Sequence, residues 1–448
     1  MLTRLRLKSF KSWPDTGDIN LRPITGIFGT NSSGKTSLIQ ALLLLKQTAD
    51  SPDRSLVFNF GDRKTPADLG DFHSTVHGHD ANGLLDMAID WKIDRSFKVV
   101  NSKNANQVVT DSEQLGFRIQ AAQIVREMAY RVGDATFGMR RRSGNKPQYE
   151  LFSDGTDFSF VHTMGRKWPL PAPTKCYGFP DQARAYFQNA GFVADLELAL
   201  EERLKDVYYL GPLRAYPERQ YTWTGAQPSD VGQAGEFVVD AILASRERGD
   251  KISRGRGYKR LTLEQYVAEW LKKLGLIHDF RVEPLAEGSP VFEVKVRRTS
   301  EAAEVLITDV GFGVSQILPV LVLCFYVPDR STVILEQPEI HLHPAVQAGL
   351  ADILIDAWKK RQVQVILESH SEHLLHRLQR RLAENEVNEE DIGLYCCKAG
   401  RTCSNITRLE LDEFGNIANW PQNFFGDQFG EIAAMSKAAQ QRKRDRAS

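Results

Sequence analysis

Residues 29–36 read Gly-Thr-Asn-Ser-Ser-Gly-Lys-Thr, the spacing G-x-x-x-x-G-K-[ST]. A loop of this kind does one sort of chemistry: its backbone N–H groups close around phosphate oxygens, a lysine reaches the outer phosphates, and a hydroxyl ligates a divalent cation. Here the lysine is Lys35 and the hydroxyl belongs to Thr36. Residues 24–28 read as a short buried strand, and the run SLIQALLLLK at 37–46 reads as an apolar helix. Strand, glycine-rich turn and helix are therefore consecutive, so loop amides and a helix N-terminus converge on one anion. Gly29 and Gly34 permit a close approach that a Cβ would obstruct. The eight residues alone also fit a surface turn. Their flanks argue for a triphosphate held with Mg2+.

Three later segments place reactive side chains where a strand meets a helix. Residues 309–316 (DVGFGVSQ) join a short strand to an apolar helix, and Gly313, Ser315 and Gln316 make its start an anion-seeking one, although such turns also merely cap helices. The strand at 331–335 ends in Glu336-Gln337-Pro338-Glu339, ahead of a helix beginning near Pro344. Carboxylates at the end of an apolar strand bring negative charge to magnesium, and a base or water-orienting group to a γ-phosphate. The strand at 362–367 ends in Glu368-Ser369-His370-Ser371 and runs into a helix at about 372–381. A histidine at that strand end can hydrogen-bond a γ-phosphate. An acidic helix cap and a structural histidine are the plainer alternatives, but neither accounts for the repeated strand-end placement.

These elements must sit in a chain of 448 residues, long enough for one large or two moderate domains. Lysine plus arginine and aspartate plus glutamate number 57 each, so any attraction to nucleic acid or membrane must come from local patches. The apolar run at 317–327 is too short to span a bilayer, and the first eight residues alternate charge without a signal-peptide core, which points to a cytoplasmic protein with no membrane partner. Five cysteines suit a reducing compartment, and Cys396, Cys397 and Cys403 read as strand and turn packing rather than metal ligands.

Along the chain, the first ten residues alternate as an edge strand with Leu5, Leu7 and Phe10 inward, followed by a turn at 14–17. Short alternating runs from about 84 to 153 predict a β-rich subdomain, and helical patterns return at about 181–205. The segment YYLGPLR at 208–214 reads as a strand entering a loop, and 245–260 as a mobile basic loop. From Val305 onward, apolar strands alternate with helices, which predicts parallel α/β construction. Four regions follow: an N-terminal lobe with the phosphate loop and the β-rich subdomain (1–205), a helical and loop insert (206–300), a C-terminal lobe with the strand-end motifs (301–425) and a basic tail (426–448).

A glycine-rich phosphate loop near the start, then much later a glycine/serine signature, a carboxylate-ended strand and a switch histidine, resembles the ATP-binding-cassette heads of the SMC/RecF/RecN superfamily. The wording GTNSSGKTSLIQALLLLKQ, YYLGPLRAYPERQY, DVGFGVSQILPVL, VILEQPEIHLHP and VILESHSEHLLHRLQRR is similar to the OLD-like prokaryotic AAA ATPases, over about residues 1–425, with 414–417 and 420–421 resembling closing strands. The resemblance implies an α/β fold of the ABC-type P-loop NTPase head, a mixed sheet with flanking helices, an antiparallel β subdomain and a helical insert. It further implies that Gly29, Asn31, Ser32, Gly34, Lys35, Thr36 and Ser37 hold phosphate and magnesium, that Gly313, Ser315 and Gln316 approach a nucleotide held by another subunit, and that His370 is the switch histidine. Two heads would then sandwich two nucleotides as a homodimer or higher homo-oligomer.

Two departures bear on mechanism. FGVSQ replaces the usual leucine-serine-glycine-glycine-glutamine signature, and Glu336-Gln337 stands where many relatives have Asp-Glu. A glutamine amide does not accept a proton near neutral pH. The expectation is that Glu336 serves the metal with Thr36 while Glu339 or His370 orients water, giving slow hydrolysis suited to a switch. The function implied is a sensor or scaffold ATPase of antiviral defence or DNA maintenance that controls a separately encoded effector such as a nuclease, since the chain leaves no room for the Toprim nuclease of many OLD relatives. The alternative is an ATP-gated DNA clamp acting in repair, using Arg140, Arg141 and Arg142 with Lys146, then Arg254, Arg256, Lys259 and Arg260, and the tail residues Lys437, Arg442, Lys443, Arg444 and Arg446. A transporter subunit or a small-molecule kinase fits less well.

Overall fold

The computed structural model describes residues 1–80, 82–101, 104–144, 147–164, 168–255, 257–422, 424–426, 433–440 and 442. Strands are numbered in chain order. A six-stranded sheet contains β4 (Ile24–Gly29), β10 (Val207–Leu210), β15 (Thr332–Glu336), β16 (Gln364–Ser369), β17 (Ile392–Ala399) and β18 (Ser404–Arg408), in the spatial order β10-β15-β16-β4-β17-β18. All neighbours are parallel except β17 and β18. Every residue of β4, β15 and β16 is buried, as expected of ITGIFG, TVILE and QVILES, apolar runs covered on both faces. Register fixes what lies at the carboxyl ends: Glu336 pairs with Glu368, and Ser369 with Phe28 just before the phosphate loop.

The second sheet is antiparallel. Its strands are β1 (Leu2–Phe10), β2 (Trp13–Asp15), β3 (Ile19–Asn20), β5 (Leu85–Asn101), β6 (Asn104–Ala121), β7 (Val125–Val132), β8 (Ala135–Arg141) and β9 (Tyr149–Asp154), ordered β2-β1-β5-β6-β7-β8-β9 with β3 also on β1. The β-rich region expected at 84–153 is this sheet. β1 is not the edge strand that alternation suggested: Leu5, Leu7 and Phe10 are buried, but β5 pairs along one side and β2 and β3 along the other. The chain expected to turn at 14–17 is already extended at Trp13–Asp15.

The helix Lys35–Asp50 joins the two sheets. It buries residues all round its surface, because Leu38, Leu42 and Leu45 share one apolar cluster with Leu5 and Leu7 of β1 and with Ile334 and Ile366 of the parallel sheet. The helices Phe312–Tyr326, Pro344–Arg361 and Glu372–Ala383 build the other core. They share it with the helices Val238–Arg248 and Leu263–Lys273 and a third, smaller sheet of β11 (Tyr221–Thr222), β12 (Asp279–Pro284), β13 (Val291–Arg297) and β14 (Glu304–Leu306). Region 206–300 therefore carries strands as well as helices, and its first strand belongs to the parallel sheet. Residues 245–248, read as loop, end a helix that stops at Gly249, whose φ of +71° is the left-handed C-cap geometry. Residues 414–417 are a turn organised by Asp412, which accepts from the amides of Phe414 and Asn416, with an isolated Leu411–Ile417 bridge in place of a closing strand.

Among the described residues no helix is long and apolar enough to cross a membrane. Cys396 and Cys397 are buried on β17, and Cys403 lies in the turn after it.

One polar side chain locks the sheets together. Gln364, buried at the start of β16, accepts from the Leu2 amide (2.9 Å) and the Thr332 hydroxyl (3.0 Å) and donates to the Leu2 (2.7 Å) and Arg22 (3.1 Å) carbonyls. An unpaired buried polar group costs about 1–3 kcal/mol. Gln364→Leu is therefore expected to lower unfolding stability by roughly 3 kcal/mol, read as a lower denaturant midpoint, whereas Gln362→Ala, which removes one exposed contact with Arg330, should change it by less than about 1 kcal/mol.

Candidate functional site

The phosphate loop is shaped by contacts that admit only glycine at two positions. β4 ends at Gly29, φ +146°, where a Cβ would stand 2.2 Å from the Cys397 carbonyl oxygen of the neighbouring strand. Gly34, φ +88°, would bring a Cβ to 2.6 Å from Ser12 Oγ and 2.7 Å from Ser404 Oγ, and its carbonyl accepts from Trp13 Nε1 at 3.1 Å. Asn31 and Ser32 form the exposed tip. The helix begins at Lys35 with no side chain capping its first amides, which leaves those of Lys35 and Thr36 available to an anion. The Ser37 amide turns back to the Gly34 carbonyl.

Lys35 is buried. Its ammonium donates to the Thr30 carbonyl (2.9 Å) and lies 3.6 Å from Glu368 Oε1. The Thr36 hydroxyl donates to the other oxygen of the same carboxylate at 2.7 Å. Glu368, to which the sequence assigned no role, thus holds both the lysine and the hydroxyl of the loop. Glu336, expected beside Thr36, instead accepts from the Tyr209 hydroxyl at 3.1 Å. Burial, then the neighbouring Glu368 carboxylate, push the Glu336 carboxyl up to about 7.

Glu339 and His370 are brought together through the backbone: the His370 amide donates to Glu339 Oε1 at 2.6 Å, while Glu339 Oε2 is buried with no hydrogen-bond partner. Burial raises the Glu339 carboxyl. Burial, and secondarily Lys35, lowers the His370 imidazole, which keeps it neutral at pH 7. The loop after β10 adds Arg214. Its guanidinium is buried and unpartnered; burial pulls it down to about 10, and Tyr209, Glu339 and Glu336 act in the opposite direction.

The signature residues lie elsewhere. Gly313, Ser315 and Gln316 occupy the first turns of the helix Phe312–Tyr326, where the Ser315 hydroxyl donates to the Phe312 carbonyl at 2.9 Å. Among the described residues no hydrogen bond or ion pair joins them to the phosphate loop. Of the basic clusters, Arg140 and Arg142 both grip Glu150 (2.9 and 3.0 Å), and Arg254 lies 3.4 Å from Glu269, so these cations are partly spent on internal pairs. Lys259, Arg260 and Lys437 are exposed. Lys146, Arg256, Lys443, Arg444 and Arg446 lie outside the described residues.

Sequence reasoning missed Glu368, Tyr209 and Arg214. The first stands two residues before His370 and could have been found by treating every carboxylate at a strand end alike. The other two lie in the YYLGPLR segment, and only the pairing of β10 with β15 brings them to the site.

Both parts of this arrangement match known families. Residues 4–128, which include the phosphate loop, match a family described as an AAA domain, and residues 258–375, which include the signature, Glu336, Glu339 and His370, match one described as an AAA ATPase domain. Residues 387–435 match a protein family of unknown function (DUF3696). A search of curated proteins finds no match. Among solved structures, the chain is similar to an SMC head bound to the C-winged helix domain of ScpA (TM-score 0.46, 12% identity, 92% of this chain and 98% of that one). It is also similar to the SMC head domain from Thermotoga maritima (0.41, 11%, 92% and 99%). A third is the Smc head domain with an extended coiled coil bound to the C-terminal domain of ScpA derived from Pyrococcus furiosus (0.44, 10%, 91% and 96%). Two separate segments of the chain, which between them hold the phosphate loop and the strand-end residues, are thus similar to AAA-type ATPase domains.

Proposed function

We propose that this protein binds Mg-ATP at the end of its parallel sheet and hydrolyses it slowly, as a nucleotide-dependent oligomerising switch. One observation carries the reading: the Glu336–Glu368 register sets two buried carboxylates on adjacent strand ends, with Glu368 against the lysine and threonine of a glycine-shaped phosphate loop. The residues fit a nucleotide and its cation. Glycines keep the loop backbone where a Cβ would clash, the helix start has no side-chain cap, and two adjoining buried carboxylates call for positive charge. Gly29, Asn31, Ser32, Gly34, Lys35 and Ser37 would line the phosphates, and Thr36, Glu336 and Glu368 would hold Mg2+, which when bound neutralises phosphate charge. Glu339 and the neutral His370, fixed to one another through the His370 amide, are the groups left to orient water.

Oligomerisation is supported by the surface beside the signature helix. Leu213 and Tyr216 are 79% and 78% exposed, and the Tyr216 ring meets exposed Phe312 edge-on at 6.0 Å. A second copy bringing its own phosphate loop to Ser315 would cover these apolar groups. Within this reading the switch controls a separately encoded effector, such as a nuclease, in antiviral defence or DNA maintenance. The second reading, an ATP-gated DNA clamp, draws on exposed Lys259 and Arg260; DNA affinity that falls steeply with salt would favour it.

Lys35→Ala is expected to abolish ATP binding measured by titration calorimetry, and ATP should raise the native mass of the wild type but not of the variant. ATP retention by Lys35→Ala equal to that of the wild type would overturn the reading. Glu336→Gln and Glu339→Gln, assayed separately, should each lower the hydrolysis rate by roughly 100-fold. Glu368→Gln should raise the magnesium concentration needed for half-maximal rate. Unchanged rates in both Glu336→Gln and Glu339→Gln would remove the assignment of water-handling and metal roles.

A further inference from the structure

Arg214 is the one charged side chain of the site with no visible use. Its Nε, Nη1 and Nη2 are all buried, and none has a hydrogen-bond partner. A guanidinium carries five N–H donors in a fixed fork and keeps its proton, so it cannot escape burial by becoming neutral. Other guanidiniums meet carboxylates, as Arg4 and Arg131 do at Asp90 and Arg377 and Arg381 at Asp352, and among the described residues Arg22, Arg141, Arg203 and Arg361 each leave a single buried nitrogen unpartnered, where Arg214 leaves all three. Removing a charge from water without a partner is costly, and proteins keep such a group where a ligand completes it.

Its surroundings indicate which ligand. Leu210 pairs with Leu335, so the loop bearing Arg214 leaves its strand beside Glu336, at the acidic end of the parallel sheet, where Tyr209, Glu339 and Glu336 act on its charge. Yet Glu336 is taken by the Tyr209 hydroxyl, and Glu339, held by the His370 amide and close to Ser369, makes no hydrogen bond to the guanidinium. The loop bearing Arg214 follows β10, three strand positions from β4, which leads to Lys35. Strands about 4.8 Å apart separate those two strand ends by about 14 Å, with Lys35 held on Glu368 at the end of β16 and the Arg214 loop leaving its strand beside β15.

We propose that Arg214 contacts the terminal phosphate of the bound nucleoside triphosphate, from the β10 side, while Lys35 holds the phosphates from the β4 side. This inference rests on the ATP-binding reading and adds to it a residue that distinguishes triphosphate from diphosphate. A planar fork suits two oxygens of one phosphate, and positive charge is needed most where a transferred phosphoryl group spreads its negative charge.

The test compares equilibrium binding of adenylyl imidodiphosphate and of ADP, each with magnesium, to the wild type, Arg214→Met, Arg214→Lys and Lys35→Ala. Arg214→Met should weaken the triphosphate analogue roughly 10- to 100-fold and leave ADP affinity within about threefold, with Arg214→Lys between it and the wild type. Without nucleotide, Arg214→Met should melt at or above the wild-type temperature, because it removes an unpaired buried charge. A preserved ratio of triphosphate to diphosphate affinity in Arg214→Met overturns the proposal, and a clearly lowered melting temperature with that ratio intact makes Arg214 a structural cation instead. If the wild type binds neither nucleotide, or Lys35→Ala binds both as the wild type does, the ATP-binding reading itself fails. A Lys35-dependent site indifferent to Arg214 sinks only this inference.

Discussion

Two glutamates, Glu336 and Glu368, are paired residues at the ends of adjacent buried strands, and the rest of the site depends on how that repulsion is met. Like charges on neighbouring strands within a poorly solvated sheet end cannot both be carried without a compensating cation or proton. The molecule answers asymmetrically. Glu368 receives the Lys35 ammonium and the Thr36 hydroxyl, whereas Glu336 receives only a phenolic hydrogen bond, and its carboxyl is pushed up to about 7. A cation arriving at this pair would be met by one carboxylate already ordered on the phosphate loop and one poised to give up a proton. The pairing therefore supplies both the affinity for a metal and its position relative to Lys35.

Holding that register is the task of the wider fold. The apolar faces of β15 and β16 are clamped between two cores, and the helix that starts at Lys35 is buried from both sides by the two sheets. Gln364 extends the clamp to the first residues of the chain, since its amide satisfies both backbone groups of Leu2 while accepting from Thr332 on the next strand. A slip of β16 by one residue would carry Glu368 to the opposite face and break all of these bonds together. By contrast, residues 211–219 form a surface loop, and two contacts tie it to the signature region: the Tyr216 ring against Phe312, and Arg219 with Asp309 at 3.0 Å. The loop carrying Arg214 thus touches the helix carrying Gly313, Ser315 and Gln316, on the surface that a second copy would have to cover.

The strands and helices that build this site were legible because their physics is local. ITGIFG and QVILES announce buried strands by unbroken apolarity, and the run after Thr36 announces a buried helix. Carboxylates at strand ends could likewise be read, which is why Glu336 and Glu339 were found. What lay beyond the sequence was which strands are neighbours. Thr36 was assigned to Glu336 because that carboxylate ends the next obvious strand, but β16 lies between β15 and β4, so Glu368 reaches the hydroxyl first. The same ignorance of order made β1 an edge strand and hid Tyr209 and Arg214, whose distance from Glu336 in sequence exceeds 120 residues. Short-range helix chemistry misled once, at 245–248: charged, polar residues looked like loop, yet Gly249 provides the stop that lets the helix run through them.

The glutamine at 337 is best understood through its backbone. Gln337 has φ +43°, a left-handed conformation that costs a non-glycine residue about 1–2 kcal/mol, and such strain persists only where surrounding bonds fix it. Here they do: the Gln337 amide donates to the Glu368 carbonyl at 2.9 Å, and the Ile340 amide returns to the Gln337 carbonyl at 3.1 Å. The chain reverses at the strand end, so the next carboxylate, Glu339, folds back into the buried cluster and meets the His370 amide, while Gln337 stays half-buried at the turn. A carboxylate at 337 would add a fourth acid to Glu336, Glu339 and Glu368 in a region where burial already raises two of them. A neutral amide at the turn avoids that repulsion and leaves Glu339, held by a backbone bond on one oxygen and unpartnered on the other, as the carboxylate with an oxygen to offer.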